Sequence, residues 1–198
     1  MLNLEKNFLK KRILIYGLGK SGLSTYSYLK KNNIISLYDD QIITKKNIKD
    51  THTTYKEIIK KEFDCIIISP GIDINNCKLS RFLKKNHKKI YTDLDIFYSR
   101  YAFNQKITIT GTNGKSTTAK LLYDILKDQK KDVRLVGNIG NPVLLEKKIK
   151  KDTLFVIEAS SYQLEYSKLF KTNISLILNI SPDHLERHKT INKYVSAK

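Results

Sequence analysis

Residues 107–117 read Ile107-Thr108-Ile109-Thr110-Gly111-Thr112-Asn113-Gly114-Lys115-Ser116-Thr117, an apolar β-branched run that passes directly into glycines, a lysine and hydroxyls. β-Branched residues alternating in this way favour a strand. Beyond Thr117, apolar side chains recur at helical spacing to about Gln129. A strand that turns through glycines into a helix points backbone N–H groups at the helix N-terminus, where they collect phosphate oxygens. In that setting Lys115 faces β- and γ-phosphates and the Ser116 hydroxyl faces Mg²⁺. Gly111 stands closer to Gly114-Lys115 than in the commonest phosphate loop, so this is a shortened form of it. The candidate nucleotide-binding residues are Gly111, Thr112, Asn113, Gly114, Lys115, Ser116 and Thr117.

Downstream, short apolar runs at Val133–Val136, Leu154–Ile157 and Ile174–Leu178 read as further strands, each ending at polar or glycine-rich residues. Open α/β sheets hold their ligands at such strand ends. Glu158 closes the second run, where an acidic contact to Mg²⁺ is expected after a phosphate loop. Asn138, in Gly137-Asn138-Ile139-Gly140, and His184, in Ser181-Pro182-Asp183-His184, fall on the same edge. Spacing alone does not separate a ligand from a structural histidine at His184.

Upstream the pattern recurs. A strand at Ile13–Tyr16 leads into Gly17-Leu18-Gly19-Lys20-Ser21-Gly22, then a helix from about Ser21 to Lys31 and a strand at Ile34–Tyr38 ending in Asp39-Asp40. A third run, Cys65–Ile68, ends in Ser69-Pro70-Gly71. A GxGxxG turn with an acidic residue about 20 positions on is the dinucleotide pattern, so an NAD-dependent oxidoreductase is one reading. The residue chemistry requires less: a phosphate or diphosphate at Gly19–Gly22 and a ribose or other polar group at Asp39. Strands alternating with helices throughout predict an α/β fold. A Rossmann-like domain over 1–103 is expected, followed at 104–198 by a P-loop-type α/β ATPase domain. Tyr98–Lys106 reads as a polar link. The chain stops at Lys198 just after a helical segment begins, so the second domain is expected to be truncated.

The 198 residues carry 37 Lys and Arg against 19 Asp and Glu, a formal net charge of +18. The lysines are spread as doublets and no nucleic-acid-binding motif accompanies them. They read as solvated charge that attracts anionic substrates, with no specific nucleic-acid partner. No apolar run approaches the roughly 18 residues of a membrane span, and the basic N-terminus lacks a secretory core. Cys65 and Cys77 have no CxxC spacing, which argues against a disulfide framework or zinc site. A cytoplasmic setting without a membrane partner is expected.

Taken together, GLGKSGLS (17–24), SPGI (69–72), ITGTNGKSTT (109–118), GNIGNP (137–142), EASSYQLE (158–165), LNISPDHLERH (178–188) and YVSAK (194–198) resemble the Mur ligase family. The GNIG-x-P turn and the EASSYQLE string are most similar to its D-glutamate-adding members. The resemblance implies an ATP- and Mg²⁺-dependent ligation of D-glutamate to UDP-N-acetylmuramoyl-L-alanine through an acyl phosphate, in cell-wall peptidoglycan synthesis. It implies that Gly17, Gly19, Lys20, Ser21 and Gly22 hold the diphosphate of the UDP-sugar, not NAD, with Asp39, Asp40 and Gly71 around uridine and sugar. Lys115 and Ser116 would serve ATP and Mg²⁺, Glu158 a metal, and Asn138 and His184 the muramoyl end or its metal, with Lys115, His184 and Lys198 as the catalytic residues. Lys198 matches the family lysine that CO₂ converts to a carbamate, a further metal ligand. The family commonly has Arg where this chain has Gln41, which removes a charge there. A third domain, which binds the amino acid in the family, has no counterpart here; another chain could supply it. A non-catalytic UDP-sugar-binding module is the remaining alternative.

Overall fold

The computed structural model describes residues 4–41 and 52–198, which divide into two compact units, Met1–Arg100 and Tyr101–Lys198. In the first unit β1 (Arg12–Tyr16), α1 (Lys20–Leu29), β2 (Ile34–Tyr38), α2 (Tyr55–Ile58), β3 (Cys65–Ile68), α3 (Ser80–Lys85), β4 (Ile90–Tyr91) and α4 (Asp93–Arg100) follow in order. The strands form a parallel sheet in the order β2-β1-β3-β4. Parallel strands covered on both faces read as continuous apolar runs. Ile13, Leu14, Ile15, Leu37, Ile66 and Ile67 are accordingly buried, and so is Cys65. Tyr16 pairs in register with both Tyr38 and Ile68. The strands therefore end level, and Gly17, Asp39 and Ser69 emerge side by side at one edge.

The second unit repeats the scheme with β5 (Lys106–Thr110), α5 (Lys115–Asp128), β6 (Val133–Gly137), β7 (Leu154–Glu158), α6 (Ser161–Leu164), β8 (Ile174–Ile177), α7 (Leu185–His188) and α8 (Ile191–Ser196). Its parallel sheet runs β6-β7-β5-β8. Ile109, Ala119, Val133 and Val156 form the core, with Leu122, Leu126 and Leu135 of the flanking elements against it. Glu158 is in register with Ile109 on one side and Gly137 on the other. That register sets its carboxylate between the Gly111–Thr117 turn and the Gly137-Asn138 turn.

The polar link read at Tyr98–Lys106 is corrected by the structure. Tyr98–Arg100 form the last turn of α4, and Lys106 is the first residue of β5. α4 hides in the sequence because acids interrupt its apolar pattern, yet Asp93 and Asp95 are themselves buried. The Thr92 N–H donates to the Asp95 carboxylate at 2.9 Å, satisfying a backbone donor that a helix start leaves unpaired. Lys106 is 1% exposed. Its ammonium donates to the carbonyls of Tyr101, Ala102 and Asn104, and burial pushes its pKa down to about 8. Among the described residues no helix is long and apolar enough to cross a membrane.

Candidate functional site

In the second unit the turn after β5 depends on two glycines. Gly111 has φ +142° and Gly114 φ +82°, and the latter caps α5 in the left-handed region, where a Cβ is strained. The loop is held from below by Asn179. Its carbonyl oxygen accepts from the Thr112 N–H at 3.0 Å, and its side chain exchanges hydrogen bonds with Asn113 at 2.9 and 3.1 Å. The Thr112 hydroxyl accepts from the Ser181 N–H and shares a 3.0 Å hydrogen bond with the Tyr194 hydroxyl. Asn179 and Tyr194 lie outside the residues singled out in the sequence. Asn179 directly follows an apolar strand run, the one local sign of its role.

Three of the singled-out residues meet on one carboxylate. Ser116 donates to Glu158 Oε2 at 2.8 Å and Asn138 Nδ2 to Oε1 at 2.8 Å. Glu158 is 1% exposed, so its charge is set against protein donors in place of water. Gly137 permits this approach, since a Cβ there would lie 2.2 Å from the Glu158 carbonyl oxygen. Lys115 Nζ donates to the Thr112 carbonyl at 2.6 Å. Lys198 Nζ donates to the Gly111 carbonyl at 2.9 Å and to Thr110 Oγ1 at 3.2 Å, and lies 4.7 Å from the Tyr194 ring centre. Burial first, and then the positive charge of Lys115, brings the Lys198 pKa down to about 8 against an opposing pull from Asp183.

His184 caps α7 with φ 52°, an uncommon backbone for a side-chain-bearing residue. Its ring lies 4.7 Å from that of Tyr162, whose hydroxyl donates to Glu186 at 2.8 Å. A second histidine, His188, closes the LNISPDHLERH string, which assigns it no role of its own. It is buried, its Nε2 hydrogen-bonds with the Ser161 hydroxyl at 3.0 Å, and burial lowers its pKa. Two ammonium groups at a glycine turn, beside a carboxylate and a hydroxyl, suit an anion and a hard cation together. Among the described residues no group of three or more His, Cys, Asp or Glu stands ready for a metal.

The first unit's turn is built differently. Gly17 has φ +90°, and its carbonyl accepts from the Ser69 hydroxyl at 2.6 Å. A Cβ on Gly22 would fall 1.9 Å from that same carbonyl oxygen, whereas Gly19 and Gly71 face open space. Asp39 accepts from the N–H of Leu18 at 2.6 Å and of Gln41 at 3.0 Å. Asp40 accepts from the Tyr16 hydroxyl at 2.7 Å, which with burial raises the phenol's pKa. Lys78 Nζ donates to the Asp40 carbonyl at 2.7 Å. Asp93 at the start of α4 is a buried carboxyl whose pKa burial raises, with Ser21 acting in the opposite direction. Lys20 is exposed.

Two parallel α/β units, each with a glycine turn between its first strand and first helix, place the chain among two-domain proteins of parallel α/β fold. Residues 11–90 match the Mur ligase MurD-like N-terminal domain and residues 109–198 match the Mur ligase middle domain. The chain belongs to the Mur ligase family. The UDP-N-acetylmuramoylalanine–D-glutamate ligase of Rickettsia bellii is 36% identical over 194 residues, covering 96% of this chain and 42% of its own length. That of Caldicellulosiruptor bescii is 36% identical over 204 residues, covering 95% and 44%. The chain thus spans less than half the length of these curated relatives. A solved UDP-N-acetylmuramate:L-alanyl-gamma-D-glutamyl-meso-diaminopimelate ligase from Neisseria meningitides shares the fold. It aligns with TM-score 0.59 at 14% identity, over 95% of this chain and 66% of that one.

Proposed function

We propose that this chain carries the UDP-sugar and ATP sites of a cytoplasmic ligase that joins D-glutamate to UDP-N-acetylmuramoyl-L-alanine in peptidoglycan precursor synthesis. The convergence of Ser116 and Asn138 on buried Glu158, beside the Lys115 loop, carries the reading. In the first step the γ-phosphoryl of ATP passes to the alanyl carboxylate, giving an acyl phosphate and ADP. In the second the amine of D-glutamate attacks the acyl carbon and phosphate leaves.

The chain's part is alignment and charge neutralisation. Backbone N–H groups of Gly111–Thr117 cradle the phosphates, and Lys115 leaves the Thr112 carbonyl to follow the charge that builds on the transferred group. A hydroxyl and a carboxylate side by side are hard oxygen donors of the kind Mg²⁺ accepts while keeping several waters, so Ser116 and Glu158 fit that ion. Bound there, Mg²⁺ would draw negative charge off the phosphate oxygens. Asn138 and His184 face the muramoyl end. With its pKa near 8, Lys198 has roughly a tenth of its amine unprotonated near pH 7. That amine attacks CO₂, forms an N–C bond and releases a proton to solvent, and the resulting carbamate would serve as a further metal-holding anion. In the first unit the N–H groups of Gly19–Gly22, with Lys20, take the diphosphate, and Asp39, Asp40 and Gly71 border uridine and sugar. An NAD site is the weaker reading, because the Asp39 carboxylate already closes its own turn through Leu18 and Gln41.

Calorimetric titration of the chain with UDP-N-acetylmuramoyl-L-alanine, with NADH as control, tests the proposal. Saturable binding of the UDP-sugar alone is the expected result. Binding of NADH in its place overturns it.

A further inference from the structure

The candidate sites use the C-terminal ends of the strands, but the first unit also has a cavity at the opposite ends. It encloses about 460 Å³, within the range of small-ligand pockets. Arg12 and Ile34, paired in register as the first residues of β1 and β2, form one wall. The turn from Lys60 to Phe63, between α2 and β3, forms the other. Five residues of strand, roughly 15 Å, separate this cavity from the glycine turn, so it is not an extension of that site.

Its lining is unevenly charged. Arg12, Lys60 and Lys61 face Glu62 as the one lining acid. None of the three cationic heads makes a hydrogen bond or ion pair among the described residues. Of the neighbouring acids, Asp64 accepts from the Arg12 N–H at 2.7 Å, and Glu57 closes the Thr54 capping box while also feeling the charge of Lys61. Lys89 adds a cation beside the rim, donating to the Phe63 carbonyl at 2.9 Å.

Two further features point to an occupant. Ser36 lines the cavity at 9% exposure, and its hydroxyl has no partner among the described residues. The hydroxyl oxygen keeps contact with solvent, so it is free to exchange that water for a ligand oxygen. Ile34 is 72% exposed at the mouth and Phe63 is buried behind it, which gives an apolar surface beside the cations.

We infer that this cavity is a second anion site, for a small phosphorylated ligand with an apolar or aromatic body, of mononucleotide size. The phosphate meets Arg12, Lys60 and Lys61, a ligand hydroxyl or phosphate oxygen meets Ser36, and the body lies on Ile34. Nothing in this inference depends on the ligase reading, since it uses the other edge of the sheet.

An NMR titration of the isotope-labelled chain with AMP decides it, with adenosine and inorganic phosphate run alongside. The expected result is saturable shifts at the amides of Arg12, Ser36 and Lys60–Phe63, with AMP binding at least about tenfold tighter than either control. Reversing two charges in Lys60→Glu/Lys61→Glu, both exposed positions, should weaken AMP there by more than roughly tenfold, since charge-assisted bonds contribute that much each. Resonances of Gly17–Gly22 should not move between the double variant and the parent, which separates loss of the site from loss of the fold. Shifts confined to Gly17–Gly22 or Gly111–Thr117 overturn the inference. So do adenosine shifts equal to those of AMP, phosphate binding as tightly as AMP, an unweakened double variant, or no shift at all.

Discussion

The turn at Gly17–Gly22 and the turn at Gly111–Thr117 share one local grammar, strand to glycines to helix, yet their surroundings differ in sign. Around the first, acids converge: Asp39 closes the backbone and Asp40 takes the Tyr16 hydroxyl. Its lysine, Lys20, is exposed. Around the second, Lys115 and Lys198 both donate to loop carbonyls, and the buried carboxylate Glu158 is bound by Ser116 and Asn138. A glycine turn alone therefore does not specify what it holds. Under the proposed function the first would hold a diphosphate through backbone N–H groups, and the second a more highly charged phosphate chain with a cation.

The sharpest way to break this contrast is to remove one lysine from each turn. In a preparation that ligates D-glutamate, Lys115→Ala should lower turnover by about a thousandfold or more, the scale of a lost transition-state donor. Lys20→Ala, an exposed charge, should weaken UDP-sugar binding by less than about tenfold in calorimetry. Equal losses would erase the distinction between the turns. Next in size is a pair of glycine substitutions. Gly22→Ala forces a Cβ against the Gly17 carbonyl and should cost about 3 kcal/mol in urea unfolding. Gly19→Ala meets open space and should cost under about 1 kcal/mol.

Removing the buried ammonium in Lys106→Met strands three carbonyls in the second unit and should cost about 2–3 kcal/mol by the same measurement. The smallest effect is in pH. Lys106 and Lys198 have folded pKa values near 8, below the ordinary lysine value of 10.5. The unfolded chain thus binds more protons between those limits, and stability rises with pH from about 8 towards 10.5. The tyrosines Tyr16, Tyr38 and Tyr91 of the first unit have raised pKa values. Their contribution is full below pH 10 and is lost above it. Cys65, pushed up to about 11 by burial, and Cys77, also raised, oppose this rise around pH 9. The lysine contribution is therefore read as a difference: between pH 8 and 9.5 thermal melts of the parent should gain stability relative to Lys106→Met, and parallel curves would contradict the assignment.

Much of the fold was legible because buried parallel strands are short apolar runs punctuated by glycine or acid. The runs at Ile34–Tyr38 and Cys65–Ile68 coincide with β2 and β3. α4 was not legible, because its buried acids break the apolar period that would announce a helix. Ser116, Asn138 and Glu158 could be named one by one from their strand ends, but their meeting on one carboxylate follows from sheet register. Asn179, Tyr194 and His188 lie within the strings that carry the family resemblance, but their individual roles escaped for a related reason. Each acts through a partner far along the chain, as Asn179 does on Asn113 and Tyr194 on Thr112, and no local pattern records such a contact.

The buried lysine at the head of β5 also bears on how the molecule can be taken apart. Lys106 finds its acceptors in residues 101–104, and Asn104 donates to the carbonyls of Lys150 and Thr153, both at 2.9 Å. The short stretch before the strand is thus a plug seated in the second unit, not a tether. A recombinant second unit begun at Ile107 would lose that plug, while one begun at Tyr101 would keep every partner of Lys106 named here. Limited proteolysis should follow the same line, sparing peptide bonds within 101–105 for as long as the plug stays seated.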